Sequence, residues 1–127
     1  MRIKQFDIWT ADLNPQIGTE PGKIRPVLVI QTDLLNSSHP STIICPITTK
    51  VVKESNILRV HIKKGVSNMQ KPSDLMIDQI RAIDNKRLIQ KIGELPAETR
   101  KIVIENIKNY SIWNNPMVKE LHPKLIL

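Results

Sequence analysis

The chain has 127 residues, 40% of them hydrophobic, with 19 Lys and Arg against 12 Asp and Glu and a formal charge of +7. That length suits one domain burying about two-thirds of its unfolded surface, enough for a single core without disulfide or metal staples. A lone cysteine excludes an internal disulfide, no apolar run approaches the roughly 18 residues of a membrane span, and the amino terminus lacks an apolar stretch of signal-peptide length, so a soluble protein of a reducing cytoplasm is expected.

Asp7 to Leu13 reads as a first strand, with Ile8, Thr10 and Asp12 alternating against Trp9, Ala11 and Leu13. Residues 14 to 23 follow as a loop rich in Pro and Gly, too long for a tight hairpin and without apolar period, a kind of loop that often carries function. Arg25 to Gln31 is a second strand. Its Arg-Pro step forces extension at Arg25, and the apolar run Val27 to Ile30 behind it places a charged residue at the mouth of a buried strand. Residues 36 to 41 have turn composition. Thr42 to Ile47 is a third strand, delivering the hydroxyls of Thr48 and Thr49 to its exit, so a cationic strand end and a hydroxylic one can share a site. Alternation puts only one of the two threonines on that site's face.

Ile57 to Ile62 alternates next, with Leu58, Val60 and Ile62 on a core face and Arg59 and His61 on a wet one. Ser73 to Ile83 supplies another strand, interrupted by the polar pair Asp78 and Gln79. Residues 89 to 95 are ambiguous between a short helix and a strand. A helix follows: Pro96 suits its first position, Glu98 complements the N-terminal dipole, and Val103, Ile107 and Tyr110 recur at i, i+4 and i+7. Asn114-Asn115-Pro116 is a stop, and 117 to 127 is a tail with no functional reading. Short strands without βαβ alternation predict a mainly β protein, a compact, strongly curved antiparallel barrel closed by a C-terminal helix.

The charge is uneven. Residues 21 to 64 hold seven basic and two acidic side chains, while residues 1 to 20 hold two basic and three acidic. Lys23, Arg25, Lys50, Lys53, Arg59, Lys63 and Lys64 favour a polyanion through phosphate contacts and counterion release, although scattered lysines are more ordinarily solubilising. Cys45 lies in an apolar run and reads as a buried structural thiol; no Cys/His spacing suggests a metal site. The three histidines, His39, His61 and His122, form no sequence pair for two-histidine acid–base catalysis, and each alone reads as a surface residue. His61 shares its strand face with Arg59 and stays open as a polyanion contact. Gly18 and Gly22 make no phosphate-loop pattern.

Four pieces in order, Asp7-Ile8-Trp9, Ile17-Gly18-Thr19-Glu20, Arg25-Pro26-Val27 with Cys45-Pro46-Ile47-Thr48-Thr49-Lys50, and Asp78-Gln79-Ile80-Arg81 through Gly93, resemble the MazF/PemK (Kid) family of toxins from bacterial toxin–antitoxin pairs. The resemblance covers roughly residues 6 to 113 as one domain, leaving 114–127 as an appendage. It implies an SH3-like, CcdB/MazF-like barrel that forms homodimers, a sequence-specific endoribonuclease acting on single-stranded RNA, mRNA among it, without a metal or other cofactor, and a cognate MazE/PemI-like antitoxin as partner. It also points to Arg25 and Thr48 as the catalytic pair. RNA carries its own nucleophile in the 2'-hydroxyl, so the enzyme mainly holds the in-line geometry and stabilises the phosphorane, yielding a 2',3'-cyclic phosphate and a 5'-hydroxyl. Arginine suits that as a permanent bidentate clamp.

Each assignment has a plainer alternative: Arg25 paired with Glu20 or Asp78, and Thr48 capping local backbone. Thr19, Glu20, Lys23, Thr49, Lys50, Arg59, His61, Asp78, Gln79 and Arg81 complete the expected RNA contacts, with Glu20 orienting Arg25 or accepting from a base edge. The pattern departs from the family at Met76, where some members have Arg, at Thr19, where some have His, and at Phe6, where Gly is usual; the last is read as a local backbone change. A CcdB-like DNA gyrase inhibitor and a non-catalytic RNA-binding barrel are the rival readings, and fold alone decides between none of them.

Overall fold

The computed structural model describes residues 2–55 and 58–110; the expected tail and the start of the Ile57 strand lie outside the described residues. Seven strands and one helix follow in chain order: β1 (Asp7–Asp12), β2 (Ile24–Val29), β3 (Ser41–Thr48), β4 (Arg59–Ile62), β5 (Ser73–Met76), β6 (Arg81–Asp84), β7 (Leu88–Glu94) and α1 (Ala97–Tyr110). The strands form one antiparallel sheet in the order β4-β5-β3-β2-β1-β7, and β6 pairs with β3 beside that path. β3 is the hub. Its first half, Ser41 to Ile44, pairs with β6, and its end, Ile47 and Thr48, pairs with β5.

The apolar runs are buried as the sequence predicts, on both sides of the curved sheet. Ile8, Leu28, Cys45 and Ile47 face one cluster, with Leu75, Ile77, Leu95, Val103 and Ile107; Trp9, Ala11, Val27, Val29 and Ile44 face a second, with Ile3, Ile83 and Leu88. α1 covers the first cluster with Val103 and Ile107, each burial contributing about 1.5–3 kcal/mol. Tyr110, expected on the same stripe, is half exposed: the buried stripe stops at Ile107, and a phenol tolerates the wet end of a helix. Pro96 sits one position earlier than expected, its carbonyl accepting from Arg100 N at 3.0 Å just ahead of the first helical residue.

Two expectations are corrected by pairing. The single strand foreseen over 73–83 is two strands, β5 and β6, separated by a 3₁₀ turn at Ile77–Gln79, because the polar Asp78-Gln79 pair falls where the chain leaves one half of β3 for the other. The ambiguous 89–95 segment is a strand, β7, since β1 offers it a ladder from Asp7 to Ala11.

No ladder joins the two edge strands, β4 and β7, among the described residues, so the sheet is not closed. A 3₁₀ turn at Val66–Asn68 spans the gap. Ser67 Oγ donates to the Glu94 carbonyl at 2.6 Å, and Asn68 Nδ2 donates to that of Ile92 at 2.7 Å. Gly93 permits the approach, for a Cβ there would lie 2.6 Å from the Ser67 carbonyl oxygen.

Candidate active site

The mouths of β2 and β3 meet, as their sequences suggest, at the wall of a cleft of about 540 Å³. Arg25 enters it from β2. Its Nε donates to the Gly22 carbonyl at 2.9 Å and its Nη1 to the Ile47 carbonyl at 3.4 Å. Neither Glu20 nor Asp78 forms an ion pair with it; the four ion pairs found among the described residues involve Arg59, His61 and Lys91. The guanidinium is therefore oriented by backbone, with no ion-pair partner among the described residues, and partial burial lowers its pKa from the ordinary value.

Thr48 ends β3 directly after that carbonyl. Its Oγ1 accepts from the Lys50 N–H at 3.1 Å, which is the local capping role considered for it. Accepting leaves the hydroxyl proton free to be donated elsewhere. Thr49 lines the cleft as well, contrary to the alternation argument, because β3 ends at Thr48 and the strand period ends with it.

The 14–23 loop forms the opposite wall and is stapled at its base. Leu13 N donates to the Lys23 carbonyl at 2.8 Å, Lys23 N donates to Asn14 Oδ1 at 2.9 Å, and Arg87 Nη1 bonds the carbonyls of Asp12, at 3.0 Å, and Asn14. Gly22 has no room for a side chain, a Cβ there standing 2.6 Å from that of Gln16. Held this way, the loop presents Thr19, Glu20 and Lys23 to the cleft. Lys50, Arg59 and Gln79 line it from the β3 side.

The other expected contacts lie elsewhere. His61 faces a separate small cavity, Asp78 is exposed on the 3₁₀ turn outside the cleft, and Arg81 lies on β6 away from it, its Nη1 buried without a hydrogen-bond partner among the described residues. Sequence reasoning missed Asp74. This carboxylate is wholly buried and accepts from Val52 N at 2.8 Å, lies 3.5 Å from Arg59 Nη1, and lies 2.6 Å from His61 Nδ1. Arg59 Nη1 also donates to the Lys50 carbonyl at 3.2 Å. The one available signal was an acidic residue at a core position of β5, which must find partners when buried.

Met76, where some family members have Arg, stands directly across the ladder from Arg59. Both line the cleft, so a guanidinium reaches this wall from the neighbouring strand. At Phe6 the φ is 70°, the left-handed conformation suited to the glycine usual there; Phe6 N to the Val29 carbonyl at 2.7 Å and Leu95 N to the Phe6 carbonyl at 2.9 Å hold it in place.

Fold and cleft together define a small antiparallel β-sheet protein with one cationic site built at its strand ends. Residues 4–110 match the family described as PemK-like, MazF-like toxin of type II toxin-antitoxin system, and the chain belongs to that family. It is 37% identical over 108 residues to endoribonuclease EndoA of Bacillus subtilis (strain 168), covering 85% of this chain and 93% of the relative. It is 35% identical over 113 residues to endoribonuclease MazF of Staphylococcus epidermidis, covering 89% and 93%. Among solved structures, Mycobacterium tuberculosis toxin MazF-mt6 superposes with a TM-score of 0.68 at 26% identity, over 81% of this chain and 93% of that one. MazF (Form-I) from Deinococcus radiodurans superposes at 0.74 and 20% identity, over 86% and 96%, a likeness of fold.

No helix among the described residues is long and apolar enough to cross a membrane.

Proposed function

We propose that this chain is the toxin of a type II toxin–antitoxin system and a sequence-specific endoribonuclease that cleaves single-stranded RNA, mRNA included, in the cytoplasm. The observation that carries the reading is the Arg25 guanidinium: anchored by two backbone carbonyls, one of them that of Ile47 just before Thr48, and without a carboxylate ion-pair partner among the described residues, at the wall of a cationic cleft. The curated relatives named as endoribonucleases support the same activity.

In this mechanism the 2'-hydroxyl attacks the adjacent phosphate, one P–O bond forms, and the bond to the 5'-oxygen breaks, leaving a 2',3'-cyclic phosphate and a 5'-hydroxyl. Arg25 stabilises the charge added on the non-bridging oxygens, and its fixed anchors mean no reorganisation is needed during the reaction. Thr48 donates a hydrogen bond to the same phosphate and keeps its proton. Glu20, the one carboxylate among the described residues lining the cleft, accepts the 2'-hydroxyl proton, which returns through solvent to the leaving oxygen. The chemistry draws on side chains alone and assigns no role to a metal. Thr19, Lys23, Thr49, Lys50, Arg59 and Gln79 hold the strand, the cations through phosphate and the amide and hydroxyls through base edges.

Residues 1–113 act as one catalytic domain, working as a homodimer, with 114–127 appended. A MazE/PemI-like antitoxin neutralises it by laying an acidic, partly disordered segment into the cleft; a MazE-MazF complex from Deinococcus radiodurans shares the fold, with a TM-score of 0.69.

The test is to incubate purified protein, with EDTA present, on a long single-stranded RNA and on its DNA equivalent, beside Arg25→Ala and Thr48→Ala, and to map the product ends. Discrete RNA cuts with 5'-hydroxyl ends, absent from DNA and lost in both variants, are expected. RNA left intact across several long substrates would overturn the reading in favour of gyrase inhibition or binding without cleavage.

A further inference from the structure

Beside the cleft lies a second cavity, of about 210 Å³. Val51, Ile62 and Pro72 line it together with His61, Lys53 and Lys63, and its surface is almost wholly apolar. The volume falls below the roughly 300–1,000 Å³ of drug-sized sites and suits a single planar ring. His61 offers a ring to stack on, and the two lysines offer charge for a phosphate.

Two structural features belong to both cavities. The first is Asp74, which lies between Arg59 of the cleft, 3.5 Å from Oδ2, and His61 of the second cavity, 2.6 Å from Oδ1. The second is the loop after β3: Lys50 lines the cleft, Val51 and Lys53 line the second cavity, and Val52 N between them donates to Asp74 Oδ2 at 2.8 Å. Arg59 and His61 are two residues apart on β4, about 7 Å along the strand, a span within reach of adjacent nucleotides on an extended chain. Asp74, as acceptor, also places the ring proton of His61 on Nδ1 and leaves Nε2 for a ligand.

We propose that this cavity is a second nucleotide subsite for the RNA strand held in the cleft, seating one flanking base on the apolar surface against His61 with its phosphate on Lys53 and Lys63. Asp74 is the positioning residue that sets the two subsites relative to each other. The inference rests on the ribonuclease reading. An acidic peptide would answer the two lysines as well; continuity with the cleft through Asp74 and the shared loop is what favours RNA.

The test uses two sets of synthetic RNA centred on a mapped cut: a core spanning the cleft alone, and the same core extended by a few nucleotides on its 5' or its 3' side. For wild-type protein, extension on one side lowers KM about tenfold, as expected for one stacked base. In Lys53→Ala/Lys63→Ala that advantage falls to about twofold or less, and the salt dependence of binding to extended RNA loses about 0.7 in log–log slope per phosphate contact removed. Asp74→Asn, assayed well below its unfolding midpoint, loses the advantage too; a merely structural role would reduce kcat through lost active protein and leave the KM ratio intact.

Equal KM for core and extended RNA in the wild type overturns the subsite. So does an advantage that survives the double lysine replacement, even where that replacement weakens an acidic peptide. No cleavage of either RNA by wild-type protein overturns the ribonuclease reading itself, and this inference with it.

Discussion

The Arg25 guanidinium on β2 reaches the carbonyl of Ile47 on β3 at 3.4 Å, the residue immediately before Thr48. A side chain from one strand mouth is thereby fixed to the backbone that carries the hydroxyl of the other. Removal of Arg25 should act on the reaction and leave the fold intact, since its anchors are carbonyls at the edge of a solvent-filled cleft. We expect Arg25→Ala to lower kcat by about 10²–10³-fold, the usual cost of losing one preorganised donor. Arg25→Lys should recover little, because an ammonium cannot reproduce two anchored N–H directions together with a free face for phosphate. Thr48→Ser should retain most activity and Thr48→Val should lose it, all four with unchanged circular dichroism. Activity retained in Arg25→Ala would remove arginine from the chemistry.

Asp74 is buried with three partners, and its neutralisation should be felt in stability. Asp74→Asn retains shape but offers the Val52 amide, Arg59 and His61 a weaker acceptor. Because Arg59 and His61 are themselves partly exposed, both can turn to water, and the loss should be about 1–3 kcal/mol. Thermal unfolding reads it, at roughly 2–8 °C per kcal/mol for domains of about this size. An unchanged midpoint would mean that the carboxylate charge contributes nothing to holding the loop.

Gly93→Ala tests the seam between the open sheet edges. The obstacle is the Ser67 backbone carbonyl, 2.6 Å from the added Cβ, so the 66–68 turn must move off β7. A destabilisation of about 1–3 kcal/mol is expected, with faster hydrogen exchange at β7. Exchange unchanged there would show that the turn yields without consequence for the strand.

The pH dependence at the acid end follows from Asp33. Its pKa is held below the ordinary value of 3.8, first by the Gln5 N–H and then by the Asn36 amide. A carboxylate depressed in the folded state contributes stability that is present above its unfolded pKa and lost as pH falls through its folded one. Asp33→Asn should therefore flatten the decline in unfolding midpoint as pH falls below about 4. Lys91, raised first by Glu94 and then by Asp7, has the opposite sign: its contribution is complete below its unfolded pKa, about 10.4, and disappears as pH rises through the folded one. Lys91→Met should remove an alkaline limb that wild type shows.

Cys45 is wholly buried, and burial raises its thiol pKa far above the ordinary range. Iodoacetamide at pH 8 should leave it unmodified in the folded protein and label it fully in denaturant. Labelling of the native protein at a rate typical of a free thiol would contradict the packing described for β3.

Sequence by itself determined the first three strands, the C-terminal helix and the two strand mouths. The Arg25-Pro26 step, the apolar runs behind it and before Thr48, and the stripe of Val103 and Ile107 are local signals, because backbone restriction and burial period act over a few residues. The same signals, in their order, carried the family. Tertiary structure alone decided which side chains share a cavity. Register set Arg59 opposite Met76 and His61 opposite Asp74, across a loop that no short-range pattern spans. The Asp78-Gln79 turn divided one expected strand into two and put Gln79 in the cleft with Asp78 outside it. Asp74 was invisible for the same reason: a buried carboxylate is defined by its partners, and here they come from β4 and from the loop after β3, chosen by the pairing of strands distant in sequence.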